Sequence, residues 1–158
     1  MDKAASKPPQ LSETDKAIIR HLQEDGRRPY AEIAAELGLA PSTVQQRANR
    51  LIANGLLKIR AVTDPTLMGM PVVAAVNLQV DGSVIREVAR ELATFAEVSY
   101  VVICAGSCDV QVEVACQDNN SLLNTISKMA RVNGVRSTET FVYLQIVKNT
   151  YQWGLPPV

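Results

Sequence analysis

Residues 30–54, YAEIAAELGLAPSTVQQRANRLIAN, limit what this chain can fold into more than any other stretch. A short amphipathic segment from Tyr30 to Leu37 runs into Gly38, and a Leu39-Ala40-Pro41 turn leads to a second segment from Ser42 to Asn54. Glycine takes the left-handed conformation that ends a helix at no steric cost. Proline suits the first turn of the next helix, where its missing N–H is harmless. Two short helices joined by so tight a turn read as a helix-turn-helix. On the second helix, Val44, Ala48, Leu51 and Ile52 share one apolar face at about 100° per residue. Ser42, Gln46, Asn49 and Arg50 occupy the opposite face, flanked by Thr43, Gln45 and Arg47. That face carries no carboxylate, and its amides and guanidiniums are the groups that pair with adenine, guanine and phosphate. Most polar helix faces are merely solvated. The turn chemistry, the spacing and the lack of acid together favour a helix that enters the major groove of duplex DNA.

The length, 158 residues, allows one domain or two small ones, and a hydrophobic fraction of 47% provides for a core. A net charge of zero excludes a basic DNA-coating protein. Residues 1–64 carry ten Lys and Arg against eight acids, and the remainder carries six against eight, which weakly favours the N-terminal half for nucleic acid. Cys104, Cys108 and Cys116 have no histidine near them and lack the spacing of a metal site. No metal or cofactor is expected, and an odd thiol count suits a reducing cytoplasm. The start, MDKAASKPPQ, has no apolar core of a signal peptide, and no run is long enough to span a membrane.

Taken in order, residues 1–10 read as a disordered arm and residues 11–57 as the DNA-binding domain. Ser12 and Asp15 have capping-box spacing, and Ala17, Ile18 and Leu22, with His21 beside them, form a helical stripe. Arg27 and Arg28 follow in a turn beside the reading pair and are candidates for phosphate contacts. Gly55–Val62 changes period and predicts a strand; residues 58–71 are read as a hinge strand and linker, punctuated by Asp64-Pro65 and Gly69-Met70-Pro71. Residues 72–149 then alternate: strand Val72–Val80, a helix carrying Ile85, Val88, Ala89, Leu92 and Phe95, strands Val98–Ala105 and Val110–Cys116, a helix carrying Leu122, Leu123, Ile126 and Met129, and strand Val135–Lys148. Asp81-Gly82-Ser83 is expected to cap the first of these helices, and Asp118–Ser121 to open the second. Residues 150–158 are a tail. The order βαββαβ is the ferredoxin-like pattern, making the fold class α+β. Both faces of the first two strands are apolar, and two helices cover only one face. A second copy is therefore expected to cover the other, giving a homodimer, as a helix-turn-helix on paired half-sites requires.

Several stretches resemble, in order and spacing, the Lrp/AsnC (leucine-responsive regulator/asparagine regulator) family of transcription factors. They are Leu11…Asp15…Ile18, Leu22–Arg27, Glu32-Ile33-Ala34…Gly38-Leu39, Pro41, Arg47, Arg50-Leu51, Asn54-Gly55, Gly106-x-x-Asp109, Gly134-Val135, Thr138-x-Thr140 and Val147-Lys148. The resemblance covers residues 11–148. It implies a winged-type DNA-binding domain, a hinge, and an effector-binding domain whose dimers assemble into tetramers, octamers or rings. It also implies a small-molecule effector, most often an amino acid, bound at the contact between dimers. By position, the effector residues are Gly106, Ser107, Cys108 and Asp109, with Ile103, Asn119, Phe141, Val142 and Tyr143 around them. Turn N–H groups can hold a carboxylate and Asp109 an ammonium, although Gly and Asp are also common turn residues. Two departures stand out. Pro29 and Ala40 occupy the serine positions before the reading helices, which leaves Ser42 or Thr43 to cap the second. Cys108 replaces the usual aromatic, which bears on effector preference.

Two other functions compete with a sequence-specific regulator. An enzyme of the sirohaem decarboxylase kind, on the same fold, calls for histidines and clustered arginines, and the second half has no histidine. A low-specificity architectural DNA-binding protein is separated from a local regulator by its specificity ratio rather than by sequence.

Overall fold

A computed structural model describes residues 10–149. All of the arm but Gln10, and the whole of the 150–158 tail, lie outside the described residues. The chain divides into two compact units between Ala61 and Val62, within the segment read as hinge and linker.

The first unit contains α1 (Glu13–Glu24), α2 (Tyr30–Leu37) and α3 (Pro41–Ala53). The capping box at α1 is formed: Ser12 Oγ accepts from the Asp15 N–H at 3.1 Å, and the Ser12 N–H donates to Asp15 Oδ2 at 3.3 Å. Helix α2 stops at Gly38, whose φ of 65° is left-handed, and the Leu39 N–H turns back to the Ala34 carbonyl at 2.9 Å. Helix α3 begins at Pro41 behind Ala40, which makes no side-chain cap, so neither Ser42 nor Thr43 moves the start inward. Ile18, Ile33, Val44 and Ala48 are fully buried, and Ile19, Leu22, Ala34, Leu51 and Leu57 complete that core. Ile52 is 39% exposed, not part of the inward face as expected. It sits about 80° round the helix from Val44, at the margin of the buried stripe.

The strand expected over Gly55–Val62 is not formed. Isolated extended backbone needs a neighbour to pair with, and the three ladders of the second unit are made by other residues. Among the described residues, 55–71 form no hairpin that would serve as a wing.

The second unit is βαββαβ: β1 (Val72–Val80), α4 (Ile85–Leu92), β2 (Val98–Ile103), β3 (Val110–Cys116), α5 (Asn119–Ala130) and β4 (Val135–Val142). The sheet is antiparallel in the order β2-β3-β1-β4, with each helix crossing to a non-adjacent strand, as the ferredoxin-like pattern requires. Strand β2 ends two residues early: the Cys104 N–H still donates to the Asp109 carbonyl at 2.8 Å, but the Asp109 N–H goes to the Leu78 carbonyl at 3.0 Å instead of returning to Cys104. Strand β4 ends at Val142, opposite Ala74, with one further bond from the Tyr143 N–H to the Val73 carbonyl at 2.9 Å; β1 begins at Val72, so little of the expected stretch to Lys148 has a neighbour to pair with. Ala74, Val76, Leu78 and Val80 meet Val110, Val112, Val114 and Cys116 on one face, and Val88, Leu92, Leu122 and Met129 of the helices cover them. Leu123, expected in this stripe, is 62% exposed. Asp118 caps α5 through the Ser121 N–H at 2.7 Å, but Asp81 does not cap α4; it accepts from the Ser83 N–H and hydroxyl instead, and the cap position is Val84. Gly134 is required where it stands: at φ 96° a Cβ would lie 2.4 Å from Val84 Cγ2.

The opposite face is more polar than β1 and β2 alone suggest. By register it presents Val73, Ala75, Asn77 and Gln79 beside Gln111, Glu113, Tyr100, Val102, Glu139 and Phe141. Gln111 Nε2 donates to Asn77 Oδ1 at 2.9 Å, and the Tyr143 hydroxyl donates to Glu113 Oε1 at 2.7 Å. Tyr100 and Phe141 remain about half exposed, at 53% and 49%.

Candidate nucleic-acid interface and effector turn

With Val44, Ala48 and Leu51 buried, α3 turns Ser42, Gln45, Gln46 and Asn49 to solvent and leaves Thr43 partly covered. The two arginines behave differently. Arg47 Nη1 donates to Asp15 Oδ1 at 3.1 Å and to Ser12 Oγ at 3.2 Å. Arg50 Nη2 donates to both carboxylate oxygens of Asp15 at 3.2 Å. Asp15 is 3% exposed, so one buried carboxylate of α1 anchors both guanidiniums of the reading helix. Burial alone would raise the Asp15 pKa, but hydrogen bonds from Ser12 and Arg47 outweigh it and hold the carboxyl below its usual range. The Arg50 side chain is still 57% exposed and Arg47 33%, which leaves further N–H donors for a phosphate.

Arg27 is exposed, and its backbone N–H donates to Asp25 Oδ1 at 2.8 Å. Arg28 is occupied: it pairs with Glu36, lies 3.8 Å from Glu24, and its Nη1 is 2.8 Å from His21 Nδ1. Two carboxylates already neutralise it, so Arg27 is the freer phosphate donor of the two. Sequence reasoning missed Asp15 as part of this face. The signal was present, because a capping aspartate that becomes buried requires a cation, and Arg47 and Arg50 stand one helical turn apart.

In the second unit, Asp109 is built into the sheet. Its N–H donates to the Leu78 carbonyl at 3.0 Å, and Oδ2 accepts from the Val80 N–H at 2.8 Å. Arg136, which sequence reasoning did not single out, donates to the Val80 carbonyl at 2.7 Å and lies 3.8 Å from Asp109 Oδ2. Gln79 Nε2 reaches the Ser107 carbonyl at 3.5 Å, tying the Gly106–Cys108 turn to β1. Ile103 closes β2 beside this turn and is 47% exposed. Phe141 and Val142 lie on β4 opposite Ala75 and Ala74, Tyr143 follows them, and Asn119 opens α5 beyond the far end of β3. The nine residues therefore form two groups within one chain, one at each end of the sheet. At the Tyr143 end a cavity of about 460 Å³ is lined by Val62, Asp64, Pro65, Val73, Leu144 and Ile146 among others. Burial, then the Glu113 carboxylate, pushes the Tyr143 hydroxyl up to about 12.

Among the described residues no group of three or more His, Cys, Asp or Glu is placed to hold a metal ion, and no helix is long and apolar enough to cross a membrane.

Comparison with known proteins bears on both units. Residues 11–52 match the AsnC-type helix-turn-helix domain and residues 73–153 the Lrp/AsnC ligand binding domain. An HTH-type transcriptional regulator of Pyrococcus abyssi is 39% identical over 96% of this chain and 94% of its own length. The HTH-type transcriptional regulator FL11 of Pyrococcus horikoshii is 33% identical over 89% of this chain and 93% of its own. Among solved structures, AsnC of E. coli superposes with a TM-score of 0.82 at 22% identity, covering 89% of this chain and 97% of that one. The Neisseria meningitidis transcriptional regulator NMB0573, in complex with L-Met, gives 0.83 at 23% identity over 93% and 97%.

Proposed function

Because the chain belongs to the Lrp/AsnC family of transcriptional regulators, with a DNA-binding helix-turn-helix domain and a ligand-binding domain, we propose that it reads specific duplex sites with the outer face of α3 and that an amino acid retunes that binding. The observation that carries the reading is the exposed, acid-free set Ser42, Gln45, Gln46 and Asn49 beside two arginines fixed by Asp15. Amide side chains held on a rigid helix suit base edges, and oriented guanidiniums suit phosphate or guanine. A relative in complex with L-Met favours an amino acid as the effector class. The protein acts in the cytoplasm as a homodimer or larger assembly. Tyr100, Phe141 and the exposed Leu144 and Val147 supply apolar surface for a second copy.

The effector reading is tested at Asp109, whose Oδ2 serves β1 while the second oxygen can take an ammonium. Asp109→Asn is expected to preserve the fold and basal DNA binding, and to remove the thermal shift that the cognate amino acid gives the parent protein. A screen of the amino acids by thermal shift measures both proteins. An undiminished shift in the variant contradicts the assignment of the turn.

A further inference from the structure

Cys104 and Cys108 bracket the loop between β2 and β3. The Cys104 N–H to Asp109 carbonyl bond of 2.8 Å closes that loop, so residues 104 and 109 face each other and Cys108 stands one residue away. Directly opposed residues on antiparallel strands have Cα atoms about 4.5–5.5 Å apart. A residue offset by one falls near the upper end of the roughly 4.4–6.8 Å that a disulfide spans. Both thiols are only half-buried, whereas Cys116 lies in the core at 2% exposure.

We propose that Cys104 and Cys108 form a dithiol that a small-molecule disulfide oxidises to an intramolecular disulfide, locking the Ala105–Cys108 loop. The chemistry balances in two exchanges. The Cys104 thiolate attacks one sulfur of the oxidant RSSR, breaking its S–S bond and releasing RS⁻, which takes up the proton Cys104 gave up. Deprotonated Cys108 then attacks Cys104 Sγ in the mixed disulfide and expels the second RS⁻, protonated in turn. Two protein thiols are oxidised, and one RSSR is reduced to two RSH. Burial, the hydrogen bond with Cys104, and the Asp109 and Glu139 carboxylates make the Cys108 thiol harder to ionise, which suits it to the intramolecular second step. So short a ring in a half-exposed turn belongs with the labile, regulatory disulfides rather than the structural ones. An effect on effector binding rests on the reading of this turn given above; the disulfide itself does not.

The test uses the full chain, equilibrated in glutathione buffers of graded redox poise, quenched with a maleimide and resolved by peptide mass spectrometry. The expected result is joint protection of Cys104 and Cys108 as one peptide that has lost two hydrogens. Cys116→Ser should retain it. Cys104→Ser and Cys108→Ser should lose it, each holding a stable glutathione adduct on the remaining thiol. Independent adducts on both thiols of the parent, two thiols still alkylated in fully oxidised glutathione, or a bridge between two chains would overturn the proposal. Thermal shift by the amino acids, run on oxidised and reduced protein, reads the coupling. An unchanged shift with the disulfide formed removes the coupling alone, while the Asp109→Asn experiment decides the reading of the turn.

Discussion

Asp15→Ala is expected to destabilise the N-terminal unit by about 2–3 kcal/mol and to weaken specific DNA binding roughly tenfold. Losing one partner of a buried ion pair costs about 3–5 kcal/mol when both charges are buried, and the exposure of Arg47 and Arg50 reduces that figure here. The capping box at Ser12 is lost as well, typically about 1 kcal/mol. Hydrogen exchange over α1–α3 in the full chain measures the stability term, and a titration with duplex DNA measures the binding term. Asp15→Asn separates shape from charge: it should recover part of the cap and little of the arginine anchoring. The pH dependence has a definite sign. The folded-state pKa of Asp15 lies below its unfolded value, so its contribution is present at neutral pH, above the unfolded pKa. That contribution is lost as pH falls through the folded pKa. The acid limb of α1–α3 stability should therefore be shallower in Asp15→Ala than in the parent. Identical acid limbs would show that the carboxylate is not ionised and paired as described.

The combined variant Gln45→Ala, Gln46→Ala, Asn49→Ala is expected to lose roughly 100-fold or more in affinity for a specific site. Each good bidentate base contact is worth about 1–3 kcal/mol of discrimination. Binding to random duplex should change little, and the slope of affinity against salt should persist, because phosphate contacts set both. The fold should hold, since these side chains face solvent and alanine is the better helix former. Circular dichroism and titrations against specific and random duplexes at several salt concentrations provide the measurement. Equal losses on both duplexes would place these residues on the backbone and not on bases.

Local signals made most of the fold legible. Gly38 and Pro41 punctuate the reading pair where a left-handed residue and a helix start are needed, and Ser12 with Asp15 caps α1 as their spacing implies. Val72–Val80 and Val110–Cys116 keep the expected bounds because they are the two central strands, paired along both edges. The edge strands were overestimated: the apolar pattern continues past Ile103 and Val142, but pairing depends on where a neighbour begins and ends. Gly55–Val62 has strand composition without a strand to join. On the reading face the exposed amides were visible from periodicity alone. The capture of Arg47 and Arg50 by Asp15 was not, since it joins residues more than thirty positions apart across a helix packing. The effector turn was recognisable as a turn, while the work of Arg136 and Gln79 in holding it depends on strand register.

Selection of bound sites from a pool of random duplexes, using the full chain at near-physiological salt, tests most directly whether α3 reads sequence. The expected product is an enriched motif of two related half-sites about one helical turn apart, which the Gln45, Gln46, Asn49 variant fails to enrich. A pool that emerges without a motif, bound with an affinity set by salt alone, would contradict the account.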